Sequence, residues 1–143
     1  MTTRRVSRYG IVASRFNREI TESLVSGAVS FLKEKGISSR AIDVAWVPGA
    51  FELPVAALRM AKSRRYPFVV AVGCILAGET PQYRYLAESV FQGLTAAGLL
   101  SGVPVTCGVI VSKKWEHAMA RSRRKGLNRG REAARAAWEV TRG

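Results

Sequence analysis

The segment Phe68–Leu86, FVVAVGCILAGETPQYRYL, constrains the fold of this chain more than any other. Phe68 to Val72 is an unbroken apolar run, the pattern of a strand buried on both faces, and such strands belong to parallel sheets covered by helices. The segment then breaks into Gly78-Glu79-Thr80-Pro81, after which Leu86, Val90, Gly93, Leu94 and Ala97 give a helix its apolar face. Thr80 is predicted to cap that helix and Pro81 to open it. A strand, a glycine turn and a helix start put free backbone N–H groups at the carboxyl end of a sheet. Open α/β sheets bind ligands there, and helix N-termini favour phosphate. The plain alternative is a strand-to-helix connection that holds nothing.

The same alternation runs through the whole chain. Tyr9–Ala13 reads as the first strand and ends in Ser14-Arg15-Phe16-Asn17. Ile20, Leu24, Ala28, Phe31 and Leu32 then mark one face of a helix that stops near Gly36. Ala41–Val47 is the second strand, turned by Pro48-Gly49-Ala50. Phe51-Glu52-Leu53-Pro54 opens a second helix that runs to about Ser63, with Pro54 in its tolerated first turn. After the third unit, Gly102-Val103-Pro104 punctuates the chain and Val105–Val111 forms the fourth strand. A fourth helix is predicted over Lys113 to Arg123, a bend over 123–128, and an Ala-rich helix from Arg129. Each crossover is long enough for a right-handed βαβ unit. The expectation is one domain over residues 1–143: a three-layer α/β/α sandwich, flavodoxin-like, with a four-stranded parallel sheet in the order 2-1-3-4. Its switch point lies between strands 1 and 3. Residues 1–7 are expected to be flexible or to contact a neighbour.

Charge and cysteine usage narrow the function classes. The net charge is +13, and Lys113–Gly143 carries ten Lys/Arg against three Glu. Such a balance suits an anionic partner: a polyanion such as nucleic acid, an acidic surface or a phosphorylated substrate. A solvated basic helix face accounts for it equally well, and no RNA-recognition motif or zinc finger accompanies it. No apolar run reaches the ~18 residues of a membrane span. Cys74 and Cys107 both fall in strand-like segments and read as core thiols of a cytoplasmic protein, with a disulfide left open. The sole histidine, His117, reads as an exposed helix residue.

Three strand ends carry a family resemblance. They are Ser14-Arg15-Phe16-Asn17, Val47-Pro48-Gly49-Ala50-Phe51-Glu52-Leu53-Pro54 and Gly73-Cys74-Ile75-Leu76-Ala77-Gly78-Glu79-Thr80-Pro81. With Gly108-Val109-Ile110 they resemble 6,7-dimethyl-8-ribityllumazine synthase, in order and spacing, from about Tyr9 to Val140. The resemblance implies a cofactor-free transferase of riboflavin biosynthesis that holds no metal. It would condense 5-amino-6-(D-ribitylamino)uracil with 3,4-dihydroxy-2-butanone 4-phosphate.

Site roles follow from the same resemblance. Phe16, beside Asn17, would stack on the pyrimidine. Gly49, Ala50, Phe51 and Glu52 would hold the ribityl chain, and backbone around Cys74, Ile75 and Leu76 would read the pyrimidine edge. Gly78, Glu79 and Thr80 would bind the phosphate, with Arg121 pairing to it. Arg129 matches a lysine near the pyrimidine, and Cys107 an aromatic usually supplied by the adjacent subunit. Gln82 stands where the family usually has a catalytic histidine, and Ala77 where it has an arginine. The resemblance also implies homopentamers, or shells assembled from them, with active sites between subunits. The alternatives are a divergent, weakly active shell-forming relative with another small phosphorylated ligand, and a polyanion-binding module.

Overall fold

The four apolar runs pair as a single parallel sheet. In the computed structural model, which describes residues 7–123 and 126–142, the strands are β1 (Tyr9–Ser14), β2 (Ile42–Val47), β3 (Val69–Leu76) and β4 (Val105–Ser112). Their spatial order is β2-β1-β3-β4, the order expected from the sequence. The helices are α1 (Arg18–Glu34), α2 (Leu53–Lys62), α3 (Gln82–Ser101), α4 (Trp115–Ala120) and α5 (Arg129–Arg142). The expectations for residues 1–6 and for Arg124-Lys125 in the last bend lie outside the described residues.

Strand periodicity divides the core in two. Ile11, Ala13, Val70, Val72 and Cys74 point to one face and pack against α1, α4 and α5. Val12, Val69, Ala71 and Ile75 point to the other and pack against α2 and α3. The central strands β1 and β3 are buried on both sides, as the continuous apolar runs require. Each fully buried Val, Leu, Ile or Phe contributes about 1.5–3 kcal/mol relative to exposure. On the α1 side the helices meet at backbone distance. A Cβ added to Gly130 of α5 would come within 2.0 Å of the Leu24 carbonyl oxygen in α1. Beside it, buried Asn128 donates through Nδ2 to the Ser23 carbonyl at 3.0 Å and accepts the Arg131 N–H at 2.9 Å. One amide thus joins the two helices and starts α5.

Several boundaries differ from the sequence reading. β3 begins at Val69, one residue after Phe68, and runs through the strand-like segment around Cys74 to Leu76, in full register with β4 from Val69↔Val105 to Leu76↔Ser112. Ladder hydrogen bonds on that side outweigh the weak strand preference of glycine. α3 begins at Gln82, so Pro81 occupies the cap position and Thr80 makes no capping hydrogen bond. α4 is shorter than predicted, ending at Ala120 because Arg121 and Ser122 close it with N–H bonds to Ala118 and Met119. Cys74 is buried as expected, but Cys107 is exposed. It lies on the edge strand, on the face opposite the Thr106 hydroxyl that bonds Ala133 of α5.

A polar brace closes the amino end of the sheet. The Asp43 carboxylate of β2 accepts from Arg8 Nε at 2.8 Å and from the Tyr66 hydroxyl at 2.7 Å. Hydrogen bonds from Arg8 and then Tyr66 hold the Asp43 pKa well below the usual carboxylate range. Its stabilising effect is therefore present above the unfolded carboxylate pKa and is lost as pH falls toward the folded value. Asp43→Asn is expected to lower stability at neutral pH by about 1 kcal/mol, allowing for solvent screening of a partly exposed pair. Urea unfolding at several pH values should show the gap from wild type narrowing below about pH 4.

Candidate active site

The carboxyl ends of β1, β2 and β3 build one pocket at the switch point. After β1 the chain takes a left-handed residue, Asn17 (φ 60°), which asparagine tolerates better than most residues. Asn17 Nδ2 donates to the Cys74 carbonyl of β3 at 3.1 Å. On the other side the Arg15 N–H donates to the Val47 carbonyl at 2.8 Å and the Phe16 N–H to Pro48 at 3.2 Å. With its backbone tied to both neighbours, Phe16 cannot fold back into the core. Its ring is 70% exposed, which makes it a platform and not a core residue.

The β2 turn supplies the second wall. Ala50–Glu52 is one 3-10 turn ahead of α2. The Glu52 carboxylate reaches back through Oε1 to accept the Gly49 N–H at 2.8 Å. This local bond satisfies an amide at the helix start and turns Phe51 outward. The third wall is β3 with the turn after it. The Ala77 N–H still joins the sheet through the Ser112 carbonyl at 2.9 Å. The amides of Gly78, Glu79 and Thr80 have no hydrogen-bond partner among the described residues. A Cβ on Gly78 would meet nothing within 4 Å, so the turn borders open space.

The cavity these walls enclose is about 420 Å³. Phe16, Gly49, Ala50, Phe51, Cys74, Ile75, Leu76, Gly78, Thr80 and Gln82 of the sequence-predicted set line it. A larger hollow of about 780 Å³ runs along α1; its lining among the described residues comes from that helix, with none of the strand-end turns. Asn17 and Glu52 stand behind the smaller pocket's walls through the bonds above. Glu79 is exposed on the turn.

Three further predicted residues, besides Asn17, Glu52 and Glu79, do not line the single-chain cavity. Arg121 is half-buried just after α4, its Nη1 3.4 Å from the Val111 carbonyl near the end of β4. Arg129 is exposed and paired with Glu132 at 3.1 Å. Cys107 sits on the edge strand. His117 is exposed on α4, as the sequence suggested, and does not line the pocket.

Tyr83 and Leu86 of α3 line the cavity as well. The sequence reading assigned them no site role, yet the signal was present. The apolar stripe Leu86-Val90-Leu94 continues one turn back to Tyr83, and that turn lies against the pocket.

The site's electrostatics are those of a partly apolar cleft. Burial pushes the Cys74 thiol up to about 11, so it stays protonated at neutral pH. A hydrogen bond from Arg84, reinforced by the charges of Arg84 and Lys113, lowers the Tyr83 pKa below its ordinary value. Among the described residues no group of three His, Cys, Asp or Glu side chains could hold a metal ion. No helix among them is long and apolar enough to cross a membrane.

One side-chain oxygen beneath the site is unsatisfied. Ser14 Oγ, at the end of β1, is fully buried with no hydrogen-bond partner among the described residues. It faces Gly73, where an added Cβ would approach it to 2.9 Å. An unpaired buried hydroxyl costs about 1–3 kcal/mol. Ser14→Ala is therefore expected to leave the melting temperature unchanged or raise it. A drop equivalent to more than about 1 kcal/mol in thermal unfolding would reveal a partner for that hydroxyl.

The family model for 6,7-dimethyl-8-ribityllumazine synthase matches residues 6–142. The match spans every strand and helix and all the turns that form the pocket. This chain belongs to the 6,7-dimethyl-8-ribityllumazine synthase family.

Proposed function

We propose that this protein condenses 5-amino-6-(D-ribitylamino)uracil with 3,4-dihydroxy-2-butanone 4-phosphate, giving 6,7-dimethyl-8-ribityllumazine and inorganic phosphate. The observation that carries this reading is convergence. The three turns that resemble the family border one cavity of about 420 Å³, although they are far apart in the chain. The exposed Phe16 ring stacks on the pyrimidine, and the strand-end backbone of Cys74, Ile75 and Leu76 reads its edge. The Gly49–Glu52 turn holds the ribityl chain, with Glu52 accepting hydroxyl donors through the oxygen that Gly49 does not occupy. The unpartnered amides of Gly78, Glu79 and Thr80, next to the start of α3, bind the phosphate.

The reaction needs two molecules held side by side more than it needs a reactive side chain. The amine attacks the ketone and loses water to form an imine. Phosphate then leaves, and a second amine–carbonyl condensation closes the ring. Orientation alone can supply several kcal/mol of such a barrier. Gln82 can hydrogen-bond and orient within the pocket but does not titrate near neutral pH.

Arg121, Arg129 and Cys107 complete the site from an adjacent subunit of a homopentamer, or of an assembly of pentamers. The support is an uncovered apolar face. Phe51, Val55, Tyr85, Phe91, Leu99 and Leu100, on α2, α3 and the turn before α2, are all exposed in the single chain. The basic last helix favours this reading over a polyanion-binding module. Arg129 is paired with Glu132, Arg131 with Glu34, and Arg142 stacks on Trp138 at 3.7 Å, so much of its charge is engaged within the chain.

Mixing purified protein with both substrates should produce the lumazine absorbance faster than buffer does. Phe16→Ala should raise KM for the pyrimidine about tenfold, in line with the loss of one aromatic stack. Absence of turnover above the buffer rate, at concentrations where sedimentation shows an oligomer, would overturn the function.

A further inference from the structure

The imine-forming step needs one proton delivered to a leaving hydroxyl and one removed from nitrogen. Among the described residues lining the pocket, Cys74 and Tyr83 are the ones with a titratable side chain. Cys74 is enclosed in the sheet core and stays a thiol. Tyr83 lies in the first turn of α3, next to Gln82 and one turn ahead of Leu86. Its ring packs against the α2–α3 side of the core. Its hydroxyl accepts from Arg84 Nε at 3.4 Å, and the charge of Lys113, just beyond β4, acts on it as well. Two cations beside a phenol stabilise the phenolate, which makes the hydroxyl a better proton donor than a free tyrosine.

We propose that the Tyr83 hydroxyl moves the protons of this pocket, an inference that rests on the lumazine-forming reaction above. In the carbinolamine formed by amine attack on the ketone, Tyr83 O–H gives its proton to the departing hydroxyl, which leaves as water when the C–O bond breaks. The phenolate, bonded by Arg84 and stabilised by the charge of Lys113, then takes the N–H proton as the C=N bond forms. The phenol is regenerated and no oxidant or cofactor is consumed. Two groups used for substrate contact flank it, Gln82 and Thr80, and neither titrates.

Steady-state kinetics of wild type and Tyr83→Phe with both substrates test this role. Phenylalanine keeps the ring packing, and thermal unfolding of the variant checks that the fold is intact. The variant is expected to lose about a hundredfold in kcat, the lower end for general acid–base catalysis, with both KM values within about twofold of wild type. The wild-type kcat should fall at alkaline pH as the phenol ionises, below the ordinary tyrosine range, and Tyr83→Phe should lack that limb. An active wild type whose folded Tyr83→Phe variant keeps its kcat and the alkaline limb overturns the role of Tyr83 alone. An inactive wild type overturns the reaction and this role with it.

Discussion

The hydrogen bond from Asn17 to the Cys74 carbonyl holds the candidate site together. In a doubly wound sheet the crevice opens where the chain reverses direction across the sheet, here between β1 and β3. Strand pairing there runs only from Gly10↔Val69 to Ala13↔Val72, so the ladder itself does not fix how the two strands splay beyond it. Asn17 spans that opening. Its left-handed backbone turns the chain sharply enough to start α1 while its amide reaches across to β3. Phe16 is then displayed at a fixed distance from Ile75 and Leu76, and the pocket has a width before any ligand arrives.

The rest of the fold keeps this crevice steady. Two apolar cores sandwich β1 and β3, so the strand ends cannot shift without disturbing packing on both faces. On one side, Gly130 and Asn128 draw α5 onto α1 at backbone distance, which leaves no slack for either helix to slide. On the other, Gly93 of α3 admits Pro54 of α2, whose ring carbons would lie 2.7 Å from an added Cβ. Proline at the start of α2 thus shapes the Ala50–Glu52 turn and also packs against α3. The site rests on regular elements, and only its rim is loop.

Much of this was legible in the sequence because periodicity and punctuation agree. Continuous runs marked the doubly buried strands, and helical spacing with Gly36, Pro54 and Gly102 marked the helices between them. The strand-like character of the segment around Cys74 was legible too, although no local pattern marks the residue at which β3 ends. The register with β4 carries the strand through to Leu76. The start of α3 was misplaced by one residue because Thr80-Pro81 has the chemistry of a cap, while the backbone turns at Pro81 itself. Cys107 looked like a core thiol because a local pattern does not report which strand lies at an edge. Tyr83 was overlooked because an aromatic at helical spacing has the signature of packing, which is also part of what it does.

The bond between Glu52 and Gly49 carries a consequence for selectivity. A glutamate free in solvent loses up to about 2 kcal/mol of rotamer freedom when a ligand immobilises it. Here folding has already removed that freedom, since Oε1 is fastened to the Gly49 N–H. A hydroxyl arriving at the second oxygen meets an acceptor whose direction is set in advance. The carboxylate therefore works less as a charge than as a ruler. In the proposed reaction, such an acceptor would reward a donor at one position along the ribityl chain and give little to a flexible molecule whose hydroxyl falls one carbon short.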